Sequence, residues 1–409
     1  MADFARLSKE KTKVSYKQMQ GDKMNINSQK LDLLKELEQQ TFRGSHSDLL
    51  DSIKEQTLYK ISFIKQYMEL ATLVHIHRPV IENIVFIDSM CNAGIYQNGY
   101  LCSAMEILLV FQDIIKAYNP TQKFHMILND RNSARIDSTK WIFEKLINPE
   151  NKGRIILHTS TSDVNCFLES PILQKHGISV HNRNTAITLF VDPYNFSTAN
   201  IGSIKKFCNN NYADLFFNLF TSDFNRNKRI YKDKIDQLHL AKDSSIEELV
   251  DSIIKELKHT RNIKYCFDYK FMTSTNVELY RIVFATPHKK GLEKIKEVLW
   301  KIFDSNAYKN SRQETRGQLS LFDEDEIKES NKSYYAEEAR NLLQQYYAGK
   351  TAKYDEIELF IMENTILAAD DVIQFVLKPM IQNGSLIKKN ETQNKHNYKN
   401  DTYYIKKEI

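Results

Sequence analysis

A regular alternation of strand-like and helix-like segments between residues 83 and 220 constrains the fold most strongly. Five short runs of β-branched and aromatic residues predict strands, and each of the first four is followed by a segment with the pattern of a helix. The predicted strands cover 83–88, 123–130, 154–160, 186–192 and 213–220. Strands joined through helices lie parallel, with right-handed crossovers. The sequence therefore predicts an α/β fold with a mainly parallel sheet.

Two more strand-like runs, 264–274 and 279–287, follow with too few residues between them for a helix. They predict an antiparallel pair at the edge of the sheet. A helix over 58–74 is predicted before the first strand. This order resembles that of a Rossmann-like, methyltransferase-type domain, although the periodicity alone also fits other α/β folds.

A chain of 409 residues is longer than a domain with one hydrophobic core usually is, so more than one domain is expected. We predict a polar, partly helical N-terminal region (1–50), the Rossmann-like domain (51–303), a polar linker (304–332) and a C-terminal domain (333–409). The last of these has three predicted helices (334–347, 354–365, 370–384) and a hairpin formed by SLIKK and DTYYIKK. This is the winged-helix plan, with Asp370 and Gly384 as the expected caps of the third helix.

Composition and sequence pattern indicate the cellular compartment and the classes of partner. No run of about 20 apolar residues is present, and the charged N-terminus lacks the apolar core of a signal peptide, so we expect a cytoplasmic protein without a membrane segment. The five cysteines are scattered without a C-x-x-C pair, which indicates reduced thiols and no zinc site. The net charge of +5 permits a nucleic-acid partner but does not require one.

Four segments together resemble a known family. FIDSMCNAGIYQNG, LNDRNSAR, LFVDPYNF and FFNLFTSDFNR are similar, in that order, to motifs of the three-Cys-motif partner (TcmP) proteins, over about residues 55–300. The resemblance implies a methyltransferase-like domain, S-adenosylmethionine as cofactor, and a genetically linked partner protein. The family's first motif runs D-x-F-A-G-P-G. Asp88 and Gly94 match it, whereas Asn92 replaces a glycine.

The loop after the first strand is the predicted cofactor loop, with Asp88, Met90, Asn92 and Gly94 as its cofactor-binding residues. In a methyltransferase-like domain this loop passes under the methionine part of S-adenosylmethionine, and small residues let the backbone approach it. Asn tolerates a positive φ, so the turn survives, but its side chain would crowd the cofactor. The alternative is an ordinary strand-to-helix turn, which also needs an acidic or small residue.

Two more acids follow predicted strands. Asp130 ends the second strand, where a fixed carboxylate accepts hydrogen bonds from ribose hydroxyls, and Asp163 follows the third, where it would accept from the adenine amino group. The alternative role is capping of the next helix, which Asn132 or Ser133 could perform in place of Asp130.

The segment Asp192-Pro193-Tyr194-Asn195 ends the fourth strand. It resembles the D-P-P-Y motif of amino-methylating DNA enzymes, in which the acid accepts from an exocyclic amine and the aromatic ring stacks on a flipped base. Asp192 and Tyr194 are therefore the predicted catalytic residues, although the second proline is missing. The alternative is a proline-stiffened strand end with a buried tyrosine.

Basic residues form two predicted nucleic-acid contacts. Arg226, Lys228 and Arg229 follow the fifth strand. The hairpin contributes Lys388, Lys389, Lys395 and Lys399, which suit phosphate contact. The alternatives are a solvated basic loop and, because the third C-terminal helix is poor in Arg, a winged helix that binds protein.

Within the linker, GQLSLFDE resembles the pentapeptide by which bacterial replication proteins dock on the sliding clamp. Gln318, Leu319, Leu321 and Phe322 are the predicted contacts, Gln through its amide and the apolar residues in a pocket. The alternative is a tether that packs its apolar residues on its own domain.

The leading interpretation is a TcmP-like, methyltransferase-fold protein that acts on or near nucleic acid in phage defence or a mobile element. One alternative is a catalytically inactive nucleic-acid sensor that keeps the fold. Another is a metal-dependent nuclease-like effector that uses Asp88, Asp130 and Asp192 as ligands.

Overall fold

The protein is described by a computed structural model. It covers residues 32–40, 49–180, 183–227, 229, 231, 238, 240–241, 243–272, 278–302, 324–389 and 398–407, with only the backbone at 55–56, 272, 279 and 324–331. The predicted clamp-docking residues 318–322, together with Lys228 and Lys395, lie outside the described residues.

The chain folds around a seven-stranded sheet with the order β3-β2-β1-β4-β5-β7-β6. The strands are β1 (Asn83–Asp88), β2 (Lys123–Asn129), β3 (Ile155–Ser160), β4 (Thr185–Val191), β5 (Ala213–Leu219), β6 (Tyr265–Met272) and β7 (Glu278–Thr286). The first five are parallel, and β7 runs antiparallel between β5 and β6. The predicted mainly parallel sheet with a late antiparallel pair is confirmed.

Register brings the ends of three strands together. Asp88, the last residue of β1, lies opposite Leu128 of β2 and Phe190 of β4. Parallel neighbours in register end at the same edge of a sheet. The residues that follow β1, β2 and β4 therefore meet at one carboxyl edge.

Helices cover both faces of this sheet. They are α1 (32–38), α2 (Glu55–Ile76), α3 (Ser103–Tyr118), α4 (Ser133–Leu146), α5 (Val164–Glu169), α6 (Ile172–Lys175), α7 (Ile201–Asn210), α8 (Thr221–Asn227), α9 (Ile246–Lys258) and α10 (Lys289–Ile302). Alternate residues of β1 serve different faces: Phe86 packs in the cluster that contains α2, α3 and α10, whereas Val85 and Ile87 pack in the cluster that contains α7 and α9. Burial on both faces explains why the parallel strands read as continuous apolar runs.

The helix predicted after β3 is two short helices. α5 ends at Glu169, and α6 begins at Ile172 after Pro171. Proline lacks a backbone N–H and cannot continue the hydrogen-bond ladder of a helix. The break follows from this residue.

The C-terminal part contains α11 (Glu324–Tyr347), β8 (Thr351–Lys353), α12 (Tyr354–Asn364), the helical segment α13 (369–382), β9 (Leu386–Lys388) and β10 (Thr402–Ile405). The predicted hairpin is confirmed, and β8 adds a third strand in the order β8-β10-β9. The helix start predicted at residue 334 was wrong, since α11 begins at Glu324, within the predicted linker. Asp370 is not the cap of α13 either: Ala368 takes that position, and its N–H donates to Asp371 at 3.2 Å. Gly384 does follow the helix end with φ 77°, as expected.

The centre of α13 widens into a π-helical turn over Val372–Leu377. Pro379 lacks the N–H that would reach the carbonyl of Phe375, four residues earlier. The guanidinium of Arg340 in α11 donates to that carbonyl at 2.6 Å. A side chain of a neighbouring helix thus satisfies the acceptor that the proline leaves free.

The C-terminal part and the sheet domain share one apolar core. Trp300 of α10 donates to the carbonyl of Ile366 at 3.0 Å, and the buried Lys296 donates to the carbonyl of Thr365 at 2.5 Å. Glu363 of α12 accepts from the backbone N–H of Cys266 in β6 at 3.1 Å. The C-terminal part therefore covers α10 and the edge strand β6.

None of the described helices combines the length and the apolar character that a membrane span needs. The five cysteines are free, as expected, with four buried and Cys166 exposed.

Candidate functional site

A cavity of about 820 Å³ opens at the carboxyl edge of the sheet. The segment before α2, the loops after β1, β4 and β5, and the start of β7 form its walls. Its lining includes Asp51, Lys54, Lys60, Met90, Asn92, Tyr96, Asp192, Tyr194, Phe220, Arg226, Glu278 and Tyr280. Cavities of this size hold cofactors and drug-sized ligands.

Asp88 lies beneath this cavity and supports the loop after β1. Its carboxylate accepts hydrogen bonds from the Ser103 hydroxyl at 2.8 Å and from the Met90 N–H at 3.2 Å. Burial raises the pKa of Asp88 to about 7, and the negative charge of Asp192 adds to the shift. Asp88 is buried and is not among the lining residues, so its visible role is to hold the loop.

This pKa predicts how stability depends on pH. The folded-state pKa lies above the ordinary value, so the unfolded chain binds fewer protons between about pH 4 and 7, and the free energy of unfolding falls as pH rises through that window. Asp88→Asn keeps partners for both hydrogen bonds and removes the buried charge. We expect it to stabilise the protein by about 1–2 kcal/mol at pH 8 and not at pH 4.5, measured by urea unfolding. Parallel pH profiles for the two proteins would contradict this role of burial.

The turn after β1 has the predicted left-handed residues. Asn92 has φ 61° and Gly94 has φ 85°. The Asn92 side chain accepts from the Ala93 N–H at 2.7 Å and donates to Asp51 at 2.9 Å, so it fastens the loop to the segment before α2. A Cβ on Gly94 would lie 3.0 Å from Ile142 of α4. The glycine therefore serves helix packing, while Asn92 occupies the cavity wall.

Asp130, directly after β2, carries a buried acceptor. One of its oxygens, Oδ1, accepts from the Asn132 N–H at 2.8 Å. The other, Oδ2, has no partner with hydrogen-bond geometry among the described residues; the backbone N–H of Asn92 lies near enough to the carboxylate to lower its pKa, and Arg135 is 3.9 Å away. Burial raises the pKa of Asp130. The cap of α4 is Asn132, so capping does not explain Asp130.

Arg135 connects Asp130 to the cavity wall. Its guanidinium donates to Asp51 at 3.0 Å and to the hydroxyl of Tyr194, and lies 5.5 Å from the centre of the Tyr194 ring. Neither Asp51 nor Arg135 was predicted from the sequence. Asp130 is buried and, like Asp88, is not among the cavity-lining residues, so a ligand in the cavity reaches it only if the guanidinium of Arg135 moves aside.

Asp163 performs the alternative role that the sequence left open. It caps α5, since its side chain accepts from the Asn165 N–H at 2.9 Å. It is exposed and is not among the cavity-lining residues.

Asp192 is the predicted acid that lines the cavity. Lys60 of α2 lies 2.5 Å from its Oδ2, and Asn218 of β5 donates to its Oδ1 at 2.6 Å. The Lys60 side chain is 8% exposed and that of Asp192 is 21% exposed. Tyr194, two residues on, is 52% exposed, so it is not the buried tyrosine of the structural alternative. An oriented carboxylate and an accessible aromatic ring thus share one wall.

Asp88, Asp130 and Asp192 end neighbouring strands, as predicted, but they do not form a ligand set. Across the described ranges, no three His, Cys, Asp or Glu side chains are arranged to hold a metal ion. The geometry that the nuclease alternative requires of these three acids is therefore not formed.

Lys60 and Asn218 leave a weak signal in the sequence. Lys60 precedes Phe63, Ile64 and Tyr67 on the buried face of α2, where a lysine is unusual unless its charge is paired. Asn218 interrupts the apolar run from Leu215 to Leu219 in β5. A buried polar residue in an apolar run indicates a partner, but not which one.

The predicted nucleic-acid contacts differ in accessibility. Arg226 lines the cavity mouth and is exposed, and Arg229 is exposed as well. In the hairpin, Lys388 forms an ion pair with the buried Asp401 at 2.6 Å. Lys389 and Lys399 are exposed. Lys388 therefore acts first as a structural partner.

No protein-family model and no curated protein matches the chain. Similar solved structures include Trm1 from Pyrococcus horikoshii with S-adenosyl-L-methionine (10% identity, TM-score 0.34, 61% of this chain and 59% of that one). A protein from Legionella pneumophila is also similar (12% identity, TM-score 0.35, 59% of this chain and 90% of that one). So is a putative class I S-adenosylmethionine-dependent methyltransferase from Listeria monocytogenes (12% identity, TM-score 0.32, 64% of this chain and 68% of that one).

The chain spans about three fifths of the length of Trm1. With TM-scores below 0.5, these likenesses carry no argument about function. The description of the fold as a mainly parallel α/β sheet rests on the strand order and directions.

Proposed function

We propose that this protein is an S-adenosylmethionine-dependent methyltransferase that acts on an amino group of a nucleic-acid base. One observation carries the proposal: the loop after β1 and the segment Asp192–Tyr194 line the same cavity. A cofactor held by the first and an acceptor held by the second would meet there.

The residues at this edge fit an adenosyl cofactor. The buried Oδ2 of Asp130 is an acceptor without a hydrogen-bond donor among the described residues, and ribose hydroxyls are donors of the right kind. Met90 and Asn92 would contact the methionine part. When bound, S-adenosylmethionine supplies a methyl group on a positively charged sulfur.

The chain's own residues would orient and deprotonate the acceptor. Asp192 would accept a hydrogen bond from the acceptor amine and take the proton that its nitrogen loses on methylation. Lys60 and Asn218 fix the carboxylate in one orientation, so little reorganisation is needed. The ring of Tyr194 offers an accessible face on which a base would stack.

Nucleic acid is the proposed partner because basic residues surround both the cavity and the hairpin. Arg226 is exposed and lines the cavity, Arg229 is exposed three residues later in the chain, and Lys389 and Lys399 are exposed on the hairpin. The order α11-β8-α12-α13-β9-β10 supports the winged-helix interpretation of the C-terminal part. Phosphate contacts of this kind position a protein on nucleic acid without reading sequence.

The second candidate is a sensor that keeps the fold without catalysis. Asn92 in place of glycine and the Arg135 contacts to Asp51 and Tyr194 favour it, since both occupy the wall beside Asp130. The TcmP resemblance, the role in phage defence and the sliding-clamp peptide at 318–322 stay predictions. A binding assay with a synthetic peptide of that segment tests the last of them.

Calorimetric titration with S-adenosylmethionine tests the cofactor site. We expect micromolar binding to the wild type and binding weaker by roughly 10- to 100-fold for Asp130→Ala, because hydrogen bonds to a charged acceptor are worth about 1.5–3 kcal/mol. Asp137→Ala, an exposed acid of α4, is the matched control and should bind like the wild type. Absence of heat from the wild type would favour the sensor.

A further inference from the structure

A second cavity, of about 460 Å³, lies at the opposite edge of the sheet. Its walls come from the residues at the start of β4 and just before β5 and β6, which are the amino ends of these strands. A strand of six or seven residues separates it from the candidate methyl-transfer cavity by about 20 Å. The two cavities are therefore distinct sites.

The lining of this amino-edge cavity is basic and amide-rich. It contains Arg183, Arg261 and Lys264 together with Asn209, Asn210 and Asn262. No acid is among its lining residues, all of which belong to the described part of the chain. The cavity thus offers N–H donors and positive charge without a built-in counter-charge.

These positive charges are uncompensated. Within the described ranges, no carboxylate lies within 4.0 Å of the charged groups of Arg183, Arg261, Lys264 or the nearby Arg78. His288 lies near these charges. Burial lowers the pKa of His288 most, and the positive charges of Arg78, Arg183 and Lys264 lower it further. By contrast, the buried Arg135 and Arg281 both have carboxylate partners.

Arg183 is held in an unusual conformation. Its φ is 56°, in the left-handed region that residues other than glycine rarely adopt. Its guanidinium lies 4.4 Å from the centre of the Tyr212 ring. Stacking fixes the plane of the guanidinium and leaves its N–H edge for a ligand. Backbone strain at such a residue is common where a side chain must be aimed at a ligand.

From these observations we propose that the amino-edge cavity binds phosphate groups. A guanidinium matches phosphate oxygens with two parallel N–H donors, and Lys264 provides further donors. The Asn262 amide donates to the carbonyls of Cys208, Asn209 and Asn211 and so shapes the wall. The phosphate comes from a nucleic-acid backbone or from a small phosphorylated molecule, and the two sources are separable by experiment. The proposal does not depend on the methyltransferase assignment, because the two cavities share no lining residue.

The test compares two variants with equal loss of charge. Arg183→Gln/Lys264→Gln changes the cavity, and Lys116→Gln/Lys140→Gln removes two exposed lysines of α3 and α4. Binding to a 20-base-pair duplex is followed by fluorescence anisotropy at several salt concentrations, and binding of pyrophosphate by calorimetry. Thermal unfolding and the S-adenosylmethionine titration check that each variant is folded and that the other cavity is intact.

If the backbone of nucleic acid is the source, the cavity variant should bind the duplex about tenfold more weakly than the control, with a salt slope lower by about two. If a small phosphorylated molecule is the source, pyrophosphate binding should disappear in the cavity variant while duplex binding matches the control. Equal behaviour of both variants towards both probes would overturn the proposal, as would failure of the wild type to bind either probe.

Discussion

Replacement of Asp192 by asparagine should lower the rate of methyl transfer by about a thousandfold, with S-adenosylmethionine binding within about threefold of the wild type. The carboxylate is the group that would accept the proton of the acceptor amine, and an amide cannot take a proton. The substitution also suits its surroundings. The Oδ1 of Asn218 lacks a partner among the described residues, so its amide can turn to accept from the new side chain.

The measurement is single-turnover methyl transfer to a nucleic-acid substrate, with cofactor binding measured separately. Asp137→Asn on the exposed face of α4 is the control and should leave the rate unchanged. Lys60→Met separates positioning from proton transfer. It should slow the reaction less than Asp192→Asn does, because the carboxylate stays in place. A rate for Asp192→Asn within tenfold of the wild type would contradict the assigned role.

Replacement of Arg281 by methionine should lower the free energy of unfolding by about 3–5 kcal/mol at pH 7. The Arg281 side chain is 3% exposed and contacts three carboxylates: Glu278 at 2.8 Å, Asp268 at 3.1 Å, and Glu247. It joins β6, β7 and α9 beside the cavity wall formed by Glu278. Removing this buried cation leaves Asp268 and Glu278 without their charge partner, while the exposed Glu247 keeps Lys270.

Urea unfolding provides the measurement for Arg281→Met. The loss should be smaller at pH 5 than at pH 7, because burial raises the pKa of Asp268 and protonation removes part of the repulsion. Lys270→Met is the matched control. Its partner, Glu247, is 59% exposed, so the expected loss is below about 1 kcal/mol. A loss for Arg281→Met as small as that of the control would show that the cluster does not stabilise the fold.

The parallel strands were predictable because most of them are apolar runs that are largely buried, as in β1, β2, β4 and β5, and because helical segments separate them in the chain. Boundaries were less predictable where composition does not change with structure. The segment from Glu324 is as polar as the predicted linker, yet it is helical. We expected a separate C-terminal domain, whereas the C-terminal part shares an apolar core with the sheet domain. Trp300 and Lys296 donate hydrogen bonds across the same contact.

The candidate site was predictable only in the residues that end or closely follow strands. Asp130 and Asp192 follow from topology, since the ends of parallel neighbours meet. Lys60, which pairs with Asp192, and Asp51, which contacts Asn92 and Arg135, lie on segments distant in the chain, and periodicity does not say which of these segments meet. The position of Gly94 in the motif indicated cofactor contact. In the structure, the missing side chain of Gly94 leaves room for the packed side chain of Ile142.

A crystal structure of the protein with S-adenosylhomocysteine would show whether the carboxyl-edge cavity holds the cofactor. We expect the ligand in this cavity, with ribose hydroxyls within hydrogen-bond distance of Asp130 Oδ2 and the guanidinium of Arg135 moved aside. Crystals grown at saturating ligand that show an empty cavity, or the ligand bound elsewhere, would exclude the proposed cofactor site.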